Sequence, residues 1–247
     1  MATYVLVPGA WLGGWAWDQV ASRLRDGGHR VRALTLAGLA ERAGEGAEQV
    51  DLERHVADVV EAIERDDLHD VVLVGHSYGG VPVTGAADRV PGRLARVVYL
   101  DSGPARDGVA YLDTLPPQVR EATERHAREQ GGGRLLPIPP WDELEQVNGV
   151  NTDGLDQRAR AAIRERATPQ PFGTYTQPIS LANPERTARP HLLVSCSYPL
   201  DQVRAMIAGG HPWFAELAGP QWSFVELPTS HWPMFSAPAG LAAALTA

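Results

Sequence analysis

The sequence predicts an α/β protein, a doubly wound and mostly parallel sheet of about six strands with a helical insertion. Two observations predict it. Short apolar runs alternate with stretches whose apolar residues recur at helical spacing. The runs are also apolar along almost their whole length, as strands covered on both faces must be. One long stretch, 104–190, breaks the alternation and gives the insertion.

Tyr4-Val5-Leu6-Val7 reads as the first strand, followed by a Gly-rich loop and a helix over 15–25. Val31-Arg32-Ala33-Leu34 is the second strand, and 36–50 is a polar loop. Leu52, Val56, Val59, Val60 and Ile63 share one face of a helix. Val71-Val72-Leu73-Val74 is the third strand and runs into a helix over 78–89. Val97-Val98-Tyr99-Leu100, Leu192-Leu193-Val194 and 222–227 complete the sheet, and a helix over 238–245 closes the chain. Between 104 and 190 lie many of the prolines, a Gly131-Gly132-Gly133 run, and helical pieces near 118–130 and 156–166. A structureless loop of that length is improbable inside a compact domain. The stretch is therefore expected to be a helical cap over one end of the sheet, within a single domain 1–247.

Composition removes whole classes of function. The formal charge of −8 and a pI near 5.5 argue against nucleic acid or an anionic membrane as partner. No apolar run approaches the roughly 18 residues needed to span a bilayer. Residues 1–7 lack the basic start of a signal peptide, so a cytoplasmic protein is expected. The chain has no lysine, which excludes a Walker phosphate loop and Schiff-base or pyridoxal chemistry. Cys196 is the only cysteine, so no intrachain disulfide forms and zinc sites needing several cysteines are impossible. Neither metal nor cofactor is expected, and a homodimer is left open.

The chemistry lies in Gly75-His76-Ser77-Tyr78-Gly79-Gly80, directly after the third strand and directly before a helix. The pattern alone also fits a serine capping an ordinary Gly-rich helix entry. On a strand-to-helix turn it presents a nucleophile instead, because glycines are needed where side chains would strike neighbouring backbone. A serine hydroxyl is a poor nucleophile and needs a base. His231, in Pro228-Thr229-Ser230-His231-Trp232 between the last strand and the last helix, is the candidate. His55 and His126 sit in helices and read as solvated. His29, His69 and His191 stand at strand starts, His211 in a loop, and His76 beside the serine points away from it.

These residues, with Val5-Leu6-Val7-Pro8-Gly9-Ala10-Trp11-Leu12-Gly13-Gly14-Trp15 and Thr229-Ser230-His231-Trp232, resemble the α/β-hydrolase superfamily. The branch they most resemble is that of plant methylesterases and hydroxynitrile lyases. The resemblance implies an oxyanion hole from the backbone amides of Ala10 and Tyr78. Pro8 departs from it, since the family usually has His there.

The third member of the set is open between two aspartates. Asp201 follows the fifth strand, the family's commonest place for the acid, but arrives late and suits a helix cap. Asp101 follows the fourth strand directly, where some family members carry theirs; it is preferred to Asp201 as the partner that steadies the imidazole. Trp11 and Trp232 are candidate pocket walls. With Phe235, Trp141 and Phe172 they serve equally well to seal the insertion onto the sheet.

A dinucleotide-binding fold is the natural rival. Gly9-Ala10-Trp11-Leu12-Gly13-Gly14 lacks its glycine spacing, and no acid follows the second strand. A lyase of the resembled branch depends on a lysine that is absent, and a receptor-like binding module has no need of the full Ser-His-Asp set. The expected activity is therefore hydrolysis of a small carboxylic ester by Ser77, His231 and Asp101.

Overall fold

A computed structural model describes residues 1–210 and 214–247 in full, and the backbone alone at 212–213. His211 lies outside the described residues.

Strands β1 (Thr3–Val7), β2 (Arg30–Ala33), β3 (Val71–His76) and β4 (Leu94–Leu100) precede a two-residue pair, β5 (Leu135–Leu136) and β6 (Gln170–Pro171). Strands β7 (His191–Ser195) and β8 (Trp222–Glu226) follow. The main sheet runs β2-β1-β3-β4-β7-β8, every neighbour parallel, while β5 and β6 pair antiparallel as a separate ribbon.

Each central strand is buried on both faces, which explains its unbroken apolar run. Val5, Val7, Leu73, Val97 and Tyr99 face one core; Tyr4, Leu6, Val72, Val74, Val98 and Leu100 face the other. Helices α1 (Asp18–Asp26), α2 (Leu52–Arg65) and α3 (Gly80–Arg89) pack on those faces. The spacing read in the sequence is realised in α2, where Leu52, Val56, Val59 and Ile63 are buried. Asp51 begins that helix by accepting from the Arg54 amide at 3.0 Å, satisfying a donor the helix cannot pair internally.

The stretch 104–190 contains α4 (Pro117–Gly131), α5 (Trp141–Gln146), α6 (Gln157–Arg166), the β5–β6 ribbon and α7 (Gly173–Thr176). Helices α8 (Leu200–Ala208), α9 (Pro233–Ser236) and α10 (Pro238–Thr246) complete the chain. Two helices begin later than the sequence suggests: a 3-10 turn at Gly14–Trp17 precedes α1, and another at Ser77–Gly79 precedes α3. The backbone there is wound too tightly for α geometry.

The expectation that the helix histidines are solvated fails at both: His126 is half-buried, with its Nε2 enclosed. His55 is fully buried rather than solvated. Its Nε2–H donates to the Ala37 carbonyl at 2.8 Å and its Nδ1 accepts from Tyr78 Oη at 2.9 Å. Burial holds the imidazole down to about 4, so it is neutral. The helix periodicity, apolar at 52, 56, 59 and 63, does carry this signal: position 55 lies on the same face.

Candidate active site

Strand order reverses between β1 and β3, and in open α/β sheets ligands bind beyond the carboxyl ends of strands at such a point. The carboxyl ends of β1 and β3 deliver Ala10 and Ser77 to one cavity there.

Ser77 occupies left-handed backbone, φ 51°, a conformation L residues adopt only when surroundings enforce it. Close approach on both sides does the enforcing. A Cβ on Gly75 would lie 2.6 Å from the Gly79 carbonyl oxygen, and one on Gly79 would lie 2.5 Å from that of Pro8. The Ser102 hydroxyl donates to the Ser77 carbonyl at 2.7 Å and ties the bend to the end of β4. Burial pushes the phenol of Tyr111, which lines the same cavity as Ser77, up to about 12, so it stays protonated.

The His231 imidazole spans the gap. Its Nε2 accepts from Ser77 Oγ at 2.9 Å, and its Nδ1–H donates to Asp101 Oδ2 at 2.6 Å. Both ends of its backbone are held as well. The His231 amide donates to the Asn151 carbonyl at 2.8 Å, and the His231 carbonyl accepts from His76 Nε2–H at 2.6 Å. His76 is fully buried with its Nδ1 unpartnered. Burial and the neighbouring His231 charge hold it down to about 3, so it too is neutral.

Asp101, not Asp201, reaches the imidazole. Asp101 also has left-handed backbone, φ 45°, which turns its side chain toward the loop after β7. There Oδ1 accepts from the amides of Cys196 and Ser197 at 3.0 and 2.9 Å, and Oδ2 from Ser197 Oγ at 2.5 Å. Burial opposes the charge, yet the bonds from His231 and Ser197 outweigh it and hold the carboxyl at about 2. Asp201 is exposed in the first turn of α8 and accepts from the Gln202 amide at 2.8 Å. The loop after β7 supplies Ser197 instead, a donor to the Asp101 carboxylate at the end of β4.

Ala10 lines the cavity next to Ser77. The Tyr78 side chain turns into the core, stacked on Tyr175 at 5.5 Å and edge-on to Tyr111. Trp11 and Trp232 both line the cavity. Trp141, Phe235 and Phe172 do not line it and act as seals: Trp141 packs edge-on to Trp232 beneath Arg160 and Arg164, Phe235 packs on Trp15, and Phe172 on Tyr175. The cavity measures about 880 Å³ and is walled largely by apolar side chains, among them Val119, Leu136, Leu144, Val203 and Leu217. Among the described residues, no group of three His, Cys, Asp or Glu side chains is placed to hold a metal ion.

The family profile described as the alpha/beta hydrolase family matches residues 4–244. The chain belongs to this family. A carbendazim hydrolyzing esterase of a Nocardioides species is 34% identical over 253 residues, covering 100% of this chain and 99% of that one. A methyl jasmonate esterase of Vitis vinifera is 35% identical over 139 residues, 53% of this chain and 48% of its own. The structure of an extracellular alpha/beta-hydrolase from a Paenibacillus species superposes with a TM-score of 0.79 at 25% identity, covering 100% of this chain and 98% of that one. The expected class, a carboxylic-ester hydrolase near the plant methylesterases, agrees with these relatives. No helix among the described residues is long and apolar enough to cross a membrane.

Proposed function

We propose that this hydrolase cleaves carboxylic esters through an acyl-enzyme intermediate on Ser77, with His231 as base and Asp101 as the acid that steadies it. The observation that carries the reading is the single imidazole in hydrogen-bond contact with both Ser77 Oγ and the Asp101 carboxylate. His231 Nε2 takes the Ser77 proton as Oγ attacks the ester carbonyl carbon. The Asp101 carboxylate stabilises the imidazolium and keeps its Nδ1–H facing inward. The tetrahedral oxyanion is received by the amides of Ala10 and Tyr78, each donor lowering the barrier by about 3 kcal/mol. His231 then protonates the leaving alcohol. Water, deprotonated by the same imidazole, releases the acid and restores Ser77.

The cavity supports an ester with a bulky, mostly apolar acyl or alcohol portion, since about 880 Å³ lies within the usual range for drug-sized ligands. Trp11 and Trp232 would wall that portion, and the segment 104–190 would act as the cap that keeps water from it. A panel of p-nitrophenyl esters of rising acyl length tests both parts of the reading. Turnover should rise with acyl length and vanish in Ser77→Ala, and a serine-reactive phosphonate should label Ser77. Activity retained by Ser77→Ala contradicts the mechanism.

A further inference from the structure

Trp11 follows Ala10, and its backbone is left-handed at φ 66°. Such a backbone is unfavourable for a side chain branching into an indole and persists only under outside restraint. The loop supplies little restraint of its own. Pro8 has no N–H to anchor it, and the turn from Gly9 to Leu12 closes on a long bond of 3.4 Å.

The restraint comes from the insertion. The Trp11 amide donates to Gln170 Oε1 at 3.1 Å, and its indole N–H donates to the Leu136 carbonyl at 2.8 Å. The Trp11 carbonyl accepts from the Thr168 amide at 3.0 Å. Every polar group of Trp11 is thus engaged by β5, β6 or the residue pair before β6. Gln170 is itself immobilised: it is fully buried, and its Nε2 donates to Thr174 Oγ1 at 2.8 Å, whose hydroxyl donates to the Pro171 carbonyl at 2.6 Å.

We infer that Gln170 is a positioning residue, fixing the Ala10 amide for the oxyanion by holding the next peptide through Trp11. The β5–β6 ribbon is then part of the catalytic apparatus rather than only a cover. The inference rests on the acyl-enzyme reading above. Gln170 touches no reacting atom; it acts through the 10–11 peptide plane, and a displaced hole donor costs transition-state binding while leaving ground-state binding intact.

The test compares Gln170→Leu, Gln170→Glu and Trp11→Phe in the full chain on one p-nitrophenyl ester. A trifluoromethyl ketone reports binding of the oxyanion, and the product carboxylate reports ground-state binding. Gln170→Leu should lower kcat by about 10- to 100-fold and weaken the ketone by the same factor. KM, product affinity and the shape of the pH profile should not change. Gln170→Glu keeps an acceptor for the Trp11 amide and should recover most of kcat. Trp11→Phe removes the indole bond to Leu136 together with part of a cavity wall, so product binding falls too, but the ketone should weaken by a clearly larger factor than the product, which keeps the test open if Gln170→Leu does not fold. Unchanged ketone affinity in the variants that fold overturns the inference, as does equal weakening of ketone and product. Ser77→Ala separates the two claims: its retained activity would strike at the acyl-enzyme reading, whereas a dead Ser77→Ala beside an unaffected Gln170→Leu would strike at this inference alone.

Discussion

Ser197 gives both its amide and its hydroxyl to the Asp101 carboxylate, at 2.9 and 2.5 Å. The two residues sit at the ends of adjacent parallel strands, β7 and β4. An acid on one strand is therefore oriented by a donor on the next, and Asp101 presents one oxygen to His231 with its other partners already supplied.

Replacing the acid tests that division of roles. Asp101→Asn reverses the proton pattern on His231 Nδ1 and should lower kcat by about 10⁴-fold. Asp201→Asn, altering an exposed side chain in α8, should leave steady-state kinetics at the wild-type level. A crippled Asp201→Asn beside a healthy Asp101→Asn would reverse the assignment.

Ser197→Ala removes one of the hydrogen bonds to the Asp101 charge while leaving the amide bonds in place. A bond to a charged group contributes about 1.5–3 kcal/mol, so kcat should fall by roughly 10- to 100-fold. Wild-type kcat in this variant would show that the amides of Cys196 and Ser197 suffice.

His76→Ala probes the contact from beneath. Its Nε2–H holds the His231 carbonyl, so its loss should loosen the base without enlarging the substrate cavity. The expected result is a lower kcat with KM unchanged, and partial recovery in His76→Gln, whose amide can donate in the same direction. A change confined to KM would count against this role.

Acid sensitivity follows from buried neutral histidines, of which His55 and His76 carry the largest shifts. His55 and His76 are held down to about 4 and about 3 by burial, while in the unfolded chain they titrate near 6.5. Above pH 6.5 both states carry them neutral. As pH falls below that, the unfolded chain takes up protons the folded chain refuses, so stability drops until the folded values are reached. Between pH 7.5 and 5 each should cost about 2 kcal/mol. Asp101 adds no slope in this window, being ionised in both states there; its contribution is lost only from about pH 4 down to its folded value of about 2. Urea unfolding at the two pH values checks this, and equal stability at both would refute it.

Much of the fold was legible because period and burial agree. Valines and leucines filling both faces of β3 and β4 can be read as buried parallel strands without coordinates. Ser77 and His231 were legible for a related reason: each stands where a strand passes into a helix or loop at the same end of the sheet. The choice of Asp101 over Asp201 was legible only in part, from an acid standing directly after an apolar strand; the left-handed turn at Asp101 that aims it is encoded by no periodicity. The β5–β6 ribbon was equally silent, with two residues per strand and a proline in one of them. Gln170 carries no signal in the sequence, because its partners, Trp11 and Thr174, are assembled only by the tertiary fold.

In the proposed mechanism the ester carbonyl carbon becomes bonded to Ser77 Oγ during turnover. Acid-quenching the enzyme milliseconds after mixing with p-nitrophenyl butyrate, followed by peptide mass analysis, tests it most directly. A butyryl group should appear on the peptide containing Ser77, formed together with a burst of p-nitrophenol and absent in Ser77→Ala. Turnover at full rate with that peptide never acylated, or with the acyl group on another side chain, would contradict it.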